Sequence, residues 1–183
     1  SAVERVSDHL PVPAAGKPRQ ILWRIYSQAT LLCAGATERP IAFENNDRPG
    51  IMMASAVRTY ANRFAATPAQ RITVFTNNDD GHRTALDLHA KGIKPIVVDT
   101  RSNAPISQDY EVLAGAQVVD TKGRLGLSFA EVRQADGTMR TIECGAIAMS
   151  GGWNPNVHLT CHQRGRPIWN DDLAAFVPGG TLP

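Results

Sequence analysis

Apolar positions along the chain recur with strand and helix periods, and together they predict an α/β fold. Apolar and polar residues alternate over 21–26, as in a half-buried strand, and a second short strand is predicted over 29–35. The next apolar residues recur at helical spacing and predict a helix over 51–65: Met52, Ala56, Tyr60 and Phe64.

A strand, a helix and a second strand are predicted in the middle of the chain. The first strand covers Ile72 to Phe75, the helix Asp79 to His89, and the second strand Pro95 to Asp99. Such a βαβ unit within about 30 residues indicates a parallel sheet with a crossover helix.

The chain after this unit is predicted to complete a Rossmann-type module. A short helix is expected over 109–114 and a strand over 116–119. Strands over 127–133 and 138–143 flank a hairpin turn, and a last strand covers 146–149. The residues before 51 and after 152 are predicted to belong to a different part of the protein, which this module interrupts.

Composition narrows the possible partners. The 183 residues include 43% hydrophobic residues and carry a net charge of +2. Lysines and arginines are scattered, which argues against a nucleic-acid partner, and no apolar run approaches the about 20 residues that span a bilayer. Three widely spaced cysteines favour a reducing cytoplasm over a disulfide framework. Because the chain lacks an initiator Met and ends in a turn-like segment, we expect a piece of a longer protein.

The turn between the first βαβ strand and its helix, TNNDDG, lies where dinucleotide-binding folds carry G-x-G-x-x-G. The three glycine positions fall on Thr76, Asn78 and Gly81, so that only the helix-packing glycine is kept. Asp79 and Asp80 favour a helix that caps its own N–H groups, which a phosphate would otherwise use. A degenerate loop that no longer binds tightly is the favoured interpretation.

Two residues at the end of the next strand and just beyond it favour the opposite interpretation, a loop that still binds a dinucleotide. Asp99 stands where an acidic residue binds the ribose hydroxyls of NAD, and Arg101 would instead favour a 2′-phosphate. An Asp at the end of a strand is also ordinary turn chemistry.

Other candidate sites are weak. His158, Cys161 and His162 lie close together but lack a fourth ligand, so no metal site is predicted. No nucleophile–base set or carboxylate pair can be placed, and no catalytic residue is predicted.

Two stretches resemble a known family. GATERPIAFENNDRPGIM (35–52) and VFTNNDDGHRTALDL (74–88) resemble the α subunit of heterotetrameric sarcosine oxidase, and the resemblance covers nearly the whole chain. ATLLCAGATERP (29–40) is similar to the crossover by which flavoproteins with two dinucleotide-binding domains enter the second domain, and SGGWNPN (150–156) to the return crossover.

The resemblance implies an α/β fold: a Rossmann-like βαβ module with a parallel sheet and a β-hairpin or meander insertion, plus remnants of a second dinucleotide-binding domain. It divides the chain into an N-terminal arm and crossover segment (1–50), an NAD(P)-binding-like module (51–152) and a return segment (153–183).

The resemblance also implies a function. The whole enzyme demethylates sarcosine oxidatively to glycine, using oxygen and tetrahydrofolate, and has β, γ and δ subunits beside α. This chain would contribute a dinucleotide-binding-like domain without catalysis of its own. FAD or FMN and tetrahydrofolate would bind only in the parent complex. The alternative is an NAD-binding or docking module of a related amine-, opine- or glycine-oxidising flavoprotein complex.

NAD is the cofactor considered for this chain itself. Its candidate binding residues come from the loop, the following strand end and the two crossovers: Thr76, Asn77, Asn78, Asp79, Gly81, Asp99, Arg101, Gly151, Gly152, Ala34, Gly35 and Ala36.

Overall fold

The computed structural model describes residues 1–179, and these form two compact units, Ser1–Cys33 and the part that begins at Ala34. The first unit contains a hairpin of β1 (Ala2–Arg5) and β2 (Gln20–Trp23). The strand predicted over 21–26 is therefore present but ends at Trp23. The strand predicted over 29–35 is wrong, since these residues are exposed and pair with no strand.

A five-stranded parallel sheet forms the centre of the second unit. Its order is β4–β11–β5–β6–β7, which confirms the predicted parallel sheet. The strands are β4 (Ile51–Met53), β5 (Arg71–Thr76), β6 (Lys94–Asp99), β7 (Glu111–Ala114) and β11 (Ala146–Ser150). The helix predicted over 109–114 is wrong: this segment pairs in parallel with β6, so tertiary pairing overrides its local pattern.

Two helices cover one face of the sheet, α1 (Ala54–Phe64) and α2 (Asp79–His89). Side chains of β5 alternate between the faces, so that Ile72 and Val74 pack beneath the helices while Phe75 points the other way. Helix α1 begins later than predicted because Ile51–Met53 pair with β11. The α2 prediction is confirmed, and its buried face includes Ala85 and Leu88, whereas Leu86 is exposed.

A three-stranded antiparallel meander covers the other face. It consists of β8 (Gln117–Lys122), β9 (Phe129–Arg133) and β10 (Met139–Glu143), and it confirms the predicted hairpin and the strand before it. Val118, Ala130 and Val132 of the meander join Phe75 and Val98 of the sheet in a second core cluster. The module is thus a sheet between a helical layer and a β layer.

A two-stranded antiparallel ribbon joins this module to its flanking segments. It pairs β3 (Ala36–Glu38) with β12 (Trp153–Pro155). A 3₁₀ helix (His158–Gln163) and the hairpin of β13 (Ile168–Asn170) and β14 (Ala175–Val177) follow.

The α/β fold class is therefore confirmed, whereas the division at 50/51 and 152/153 stays a prediction. Within residues 1–179, no helix has the length and apolar character that crossing a bilayer requires.

Gly81 sets how closely α2 approaches β5. A Cβ at this position would lie 2.4 Å from both Cβ and Oγ1 of Thr76, so Gly81→Ala forces the helix away from the strand. We expect a loss of about 1–3 kcal/mol in the free energy of unfolding, measured by denaturant titration.

Gly126→Ala is the matched control, because the nearest atom to a Cβ there is the Pro49 carbonyl oxygen at 3.4 Å. Equal stability of the two variants would show that Gly81 has no packing role.

Candidate functional site

Three polar residues meet at the carboxyl edge of the parallel sheet. The strand register places Ser150 of β11 beside Thr76 of β5, and Thr76 beside Asp99 of β6. All three are fully buried. Ligands of open α/β sheets bind outside the carboxyl ends of the strands, so this edge is the candidate site.

The loop after β5 satisfies its own N–H groups. Asn78 caps α2 through its side-chain oxygen, which accepts a hydrogen bond from Asp80 N at 3.0 Å. The Asn78 N–H donates to Thr76 Oγ1 at 3.1 Å, and the Asn77 N–H to the Ser150 carbonyl oxygen at 3.3 Å. Gly81 keeps the close helix–strand packing that its motif position predicts.

Side chains also tie this loop to β11. The Asn78 amide nitrogen donates to the Ser150 carbonyl oxygen at 3.0 Å. Thr76 Oγ1 lies 3.1 Å from the same oxygen. The loop is therefore held against the strand end, over which a bound phosphate would have to lie.

The two acidic residues that begin α2 are both engaged. Asp79 forms an ion pair with Arg101 at 2.9 Å. Asp80 pairs with Arg83 at 2.9 Å and accepts a hydrogen bond from the Trp153 indole at 2.6 Å. These contacts link the loop to the segment after β6 on one side and to β12 on the other.

Asp99 is the buried charge of the site. Its carboxylate lies 2.9 Å from His82 Nε2, and it accepts from the Arg101 backbone N–H at 2.9 Å and from Arg101 Nη2 at 2.8 Å. Burial alone would raise the pKa of Asp99, but the hydrogen bonds from Arg101 and His82 outweigh it and hold the pKa below its ordinary value. The pKa of Arg101 is raised, first by its hydrogen bond to Asp99.

The crossover glycines lie close to backbone. A Cβ on Gly151 would meet the Arg39 carbonyl oxygen at 2.8 Å, and Gly152 has a φ of +94° beside the Arg39 guanidinium. A side chain at either position would therefore collide with Arg39.

Ala34, Gly35 and Ala36 lie further along the same ribbon. The Ala34 and Gly35 carbonyl oxygens accept hydrogen bonds from Asn156, and Ala36 pairs with Pro155. Their contacts are therefore with the return segment rather than with the TNNDDG loop.

The structure thus brings together the predicted residues of the loop and of the β6 end, from Thr76 to Gly81 with Asp99 and Arg101. His82, Ser150 and Trp153 complete this site and were not predicted from the sequence. A signal existed for His82, because it adjoins the buried helix face formed by Gly81, Thr84, Ala85 and Leu88. Ser150 and Trp153 meet the loop only through tertiary pairing.

The candidate metal ligands His158, Cys161 and His162 lie in the 3₁₀ helix. His162 is one of them, and its side chain lies outside the described part of the structure. Among the described residues, no group of three or more His, Cys, Asp or Glu side chains is arranged to hold a metal ion.

Known proteins similar to this chain fall into two groups. No protein-family model matches it. The sarcosine oxidase subunit alpha of Rhizobium meliloti (strain 1021) is 42% identical over 186 residues, which cover 99% of this chain and 18% of that subunit. The subunit alpha of Corynebacterium sp. (strain P-1) is 37% identical and is covered to 20%.

Solved structures share the fold at low sequence identity. The L-proline dehydrogenase from P.horikoshii matches 80% of this chain and 25% of its own with a TM-score of 0.60 and 16% identity. The Lactococcus lactis thioredoxin reductase matches 76% of this chain and 48% of its own with a TM-score of 0.57 and 14% identity. These likenesses show the fold alone.

The relatives in sequence carry the family assignment, since nearly every residue of this chain aligns with them. The chain spans about a fifth of their length. By homology, this chain corresponds to one part of sarcosine oxidase α subunits, as its ERP and NNDRPG motifs indicate.

Proposed function

We propose that this chain serves as the dinucleotide-binding-like domain of a sarcosine oxidase α subunit and has no catalysis of its own. The observation that carries this proposal is the closed TNNDDG loop within a chain that aligns over 99% of its length with such subunits. The domain supplies a folded framework, and the reacting groups lie elsewhere in the complex.

The activity proposed for the whole complex is the oxidative demethylation of sarcosine to glycine with oxygen and tetrahydrofolate. The partners proposed are the rest of the α chain and the β, γ and δ subunits, where the flavin and folate sites would lie. We place the complex in the cytoplasm, and the three cysteines, all free thiols, are compatible with that compartment.

Hydrogen-bond accounting supports a closed loop. A phosphate at a helix N-terminus is held by free backbone N–H groups. The N–H groups of Asn77, Asn78 and Asp80 already donate to the Ser150 carbonyl oxygen, to Thr76 Oγ1 and to Asn78 Oδ1. A pyrophosphate would have to displace all three partners.

The position of Asp99 supports the same conclusion. An acidic residue that binds ribose hydroxyls must present an oxygen to the ligand. The Asp99 side chain has no exposed surface, and His82 and Arg101 occupy its oxygens. In the proposed role, Asp99 stabilises the sheet edge and selects no cofactor.

A docking role in a related amine-, opine- or glycine-oxidising complex is the second candidate. It is favoured by the apolar surface of the β13–β14 hairpin, where Trp169 packs edge-on against Phe176 and both remain about half exposed. Exposed aromatic residues of this kind are enriched in protein interfaces. Retained NAD binding at the TNNDDG loop is the other alternative.

Titration with dinucleotides tests the closed loop. We expect NAD and NADP each to bind the chain with a Kd above about 1 mM in calorimetry, because the N–H groups of Asn77, Asn78 and Asp80 already have acceptors.

Asp99→Ala and Arg101→Ala serve as comparison variants. A submillimolar Kd for NAD that Asp99→Ala weakens would contradict the closed loop and assign Asp99 to a working site.

An oxygen-consumption assay tests the absence of independent catalysis. We expect no turnover of sarcosine by the isolated chain, with or without added FAD or FMN, because the flavin-binding parts of the complex are proposed to lie outside this chain. The assembled enzyme of a relative is the positive control. Steady turnover by the chain alone would refute the proposal.

Stability against pH tests the structural role of Asp99. Its pKa is lowered in the folded state, so its contribution is present at neutral pH and is lost as the pH falls below about 4. We expect Asp99→Asn to reduce the free energy of unfolding at pH 7 by about 2–4 kcal/mol, since His82 and Arg101 lose their charged partner.

The difference between the two proteins should shrink as the pH falls through the folded-state pKa of Asp99, measured by denaturant unfolding. Glu111→Gln is the control, because it removes an ion pair whose members are partly exposed. It should lower the free energy of unfolding at pH 7 by less than Asp99→Asn does. A difference that stays constant from neutral to acid pH would contradict an ionised Asp99.

A further inference from the structure

A solvent-open cavity of about 400 Å³, to which mainly polar and charged residues contribute, lies between helices α1 and α2 and the ribbon strands β3 and β12. This volume falls within the range of small-molecule sites. The cavity is separate from the sheet-edge residues Thr76 and Asp99, although Asp80 contributes to both. Its charged lining groups are Glu38, Arg58, Arg63 and Asp80.

Glu38 supplies a buried acceptor to this cavity. Its side chain lines the cavity although the residue is only 9% exposed. Oε2 accepts a hydrogen bond from the Ser55 N–H at the start of α1, at 2.9 Å. Within the described residues Oε1 has no hydrogen-bond partner. A carboxylate oxygen on a mostly buried side chain is stabilised by a donor in the cavity that it faces, and a cationic donor suits it best.

Two arginines of α1 supply donors. Arg58 binds Asp87 through Nε at 2.6 Å, which leaves its two terminal nitrogens without a partner among the described residues. Arg63 forms no ion pair within residues 1–179 and lies 5.6 Å from the Phe64 ring centroid. The guanidinium groups of Arg58 and Arg63 can therefore donate hydrogen bonds to an anion.

The geometry of α1 orders these groups. Arg58 and Thr59 lie three and four residues after Ser55, so the three residues share one helix face, and all of them line the cavity. Glu38 lies at the first turn of this face and Arg58 about one turn, or about 5 Å, further on. Asp80 does not compete, since Arg83 and Trp153 occupy its oxygens.

We propose that this cavity binds a small zwitterionic amino acid. The ammonium group donates to Glu38, and the carboxylate accepts from Arg58 with the Ser55 and Thr59 hydroxyls beside it. A simple carboxylic acid would place no donor on Glu38, and a simple amine would place a cation beside the arginines. This site shares Asp80 and Trp153 with the TNNDDG loop site, but the proposal does not rest on the function proposed above.

A ligand titration followed by ¹⁵N NMR tests the proposal on the complete chain. Glycine should produce saturable shifts of the Ser55 amide and the Trp153 indole, with a Kd on the order of 1 mM. The indoles of Trp23 and Trp169 do not line the cavity and serve as internal references. Acetate and methylamine, each with half of the ligand chemistry, should bind at least about tenfold more weakly.

Charge-neutral variants locate the site. Glu38→Gln retains an acceptor for the Ser55 N–H but loses the charge, and Arg58→Gln loses the guanidinium. Each should raise the Kd for glycine at least about tenfold. Arg140→Gln removes an ion-paired arginine on β10, outside the cavity, and should leave the Kd unchanged. Thermal unfolding of each variant confirms that it is folded.

Three results would overturn the proposal, and all can be obtained with the unmodified chain. The first is the absence of a saturable shift up to about 20 mM glycine. The second is equal affinity for acetate and glycine, which would mean an unselective anion site. The third is tighter binding of AMP than of glycine at the same resonances, which would identify a nucleotide site.

Discussion

The carboxylate of Asp99 is the fixed point on which the carboxyl edge of the sheet depends. Its donors come from two different elements, His82 on α2 and Arg101 after β6. A buried charge that loses its donors costs several kcal/mol, so both elements are held in place. Arg101 also pairs with Asp79 and thereby extends the restraint to the loop after β5. The ion pairs around Asp99 therefore add to the hydrogen bonds that close this loop against Thr76 and Ser150.

The same solution appears at both helices of the module. The chain's own oxygen atoms occupy the two helix N-termini: Glu38 accepts from the first turn of α1, and Asn78 caps α2. In dinucleotide-binding proteins, a phosphate satisfies such N–H groups. This module keeps the architecture that places helix N-termini at a sheet edge, and its own side chains accept hydrogen bonds there.

The spacing of apolar residues correctly predicted those helices and strands whose local pattern matches the structure that they form in the folded chain. The βαβ unit and the hairpin around Asp136-Gly137 were found in this way, and Gly81 was correctly given a packing role. The short segment 109–114 failed, because its three apolar residues form a strand only through pairing with β6. The position of Asp99 at a strand end could be predicted. Its burial could not, because that depends on tertiary contacts at the sheet edge, where His82 of α2 and Arg101 both meet its carboxylate.

The ribbon of β3 and β12 has a mechanical consequence. Glu38 and Trp153 are register partners across it, yet they reach different helices: Glu38 binds the Ser55 N–H of α1 and Trp153 binds Asp80 of α2. A movement of the ribbon would therefore shift both helices together. Just before the ribbon, Gly35 adopts a φ of +68°, a backbone conformation that glycine reaches without strain.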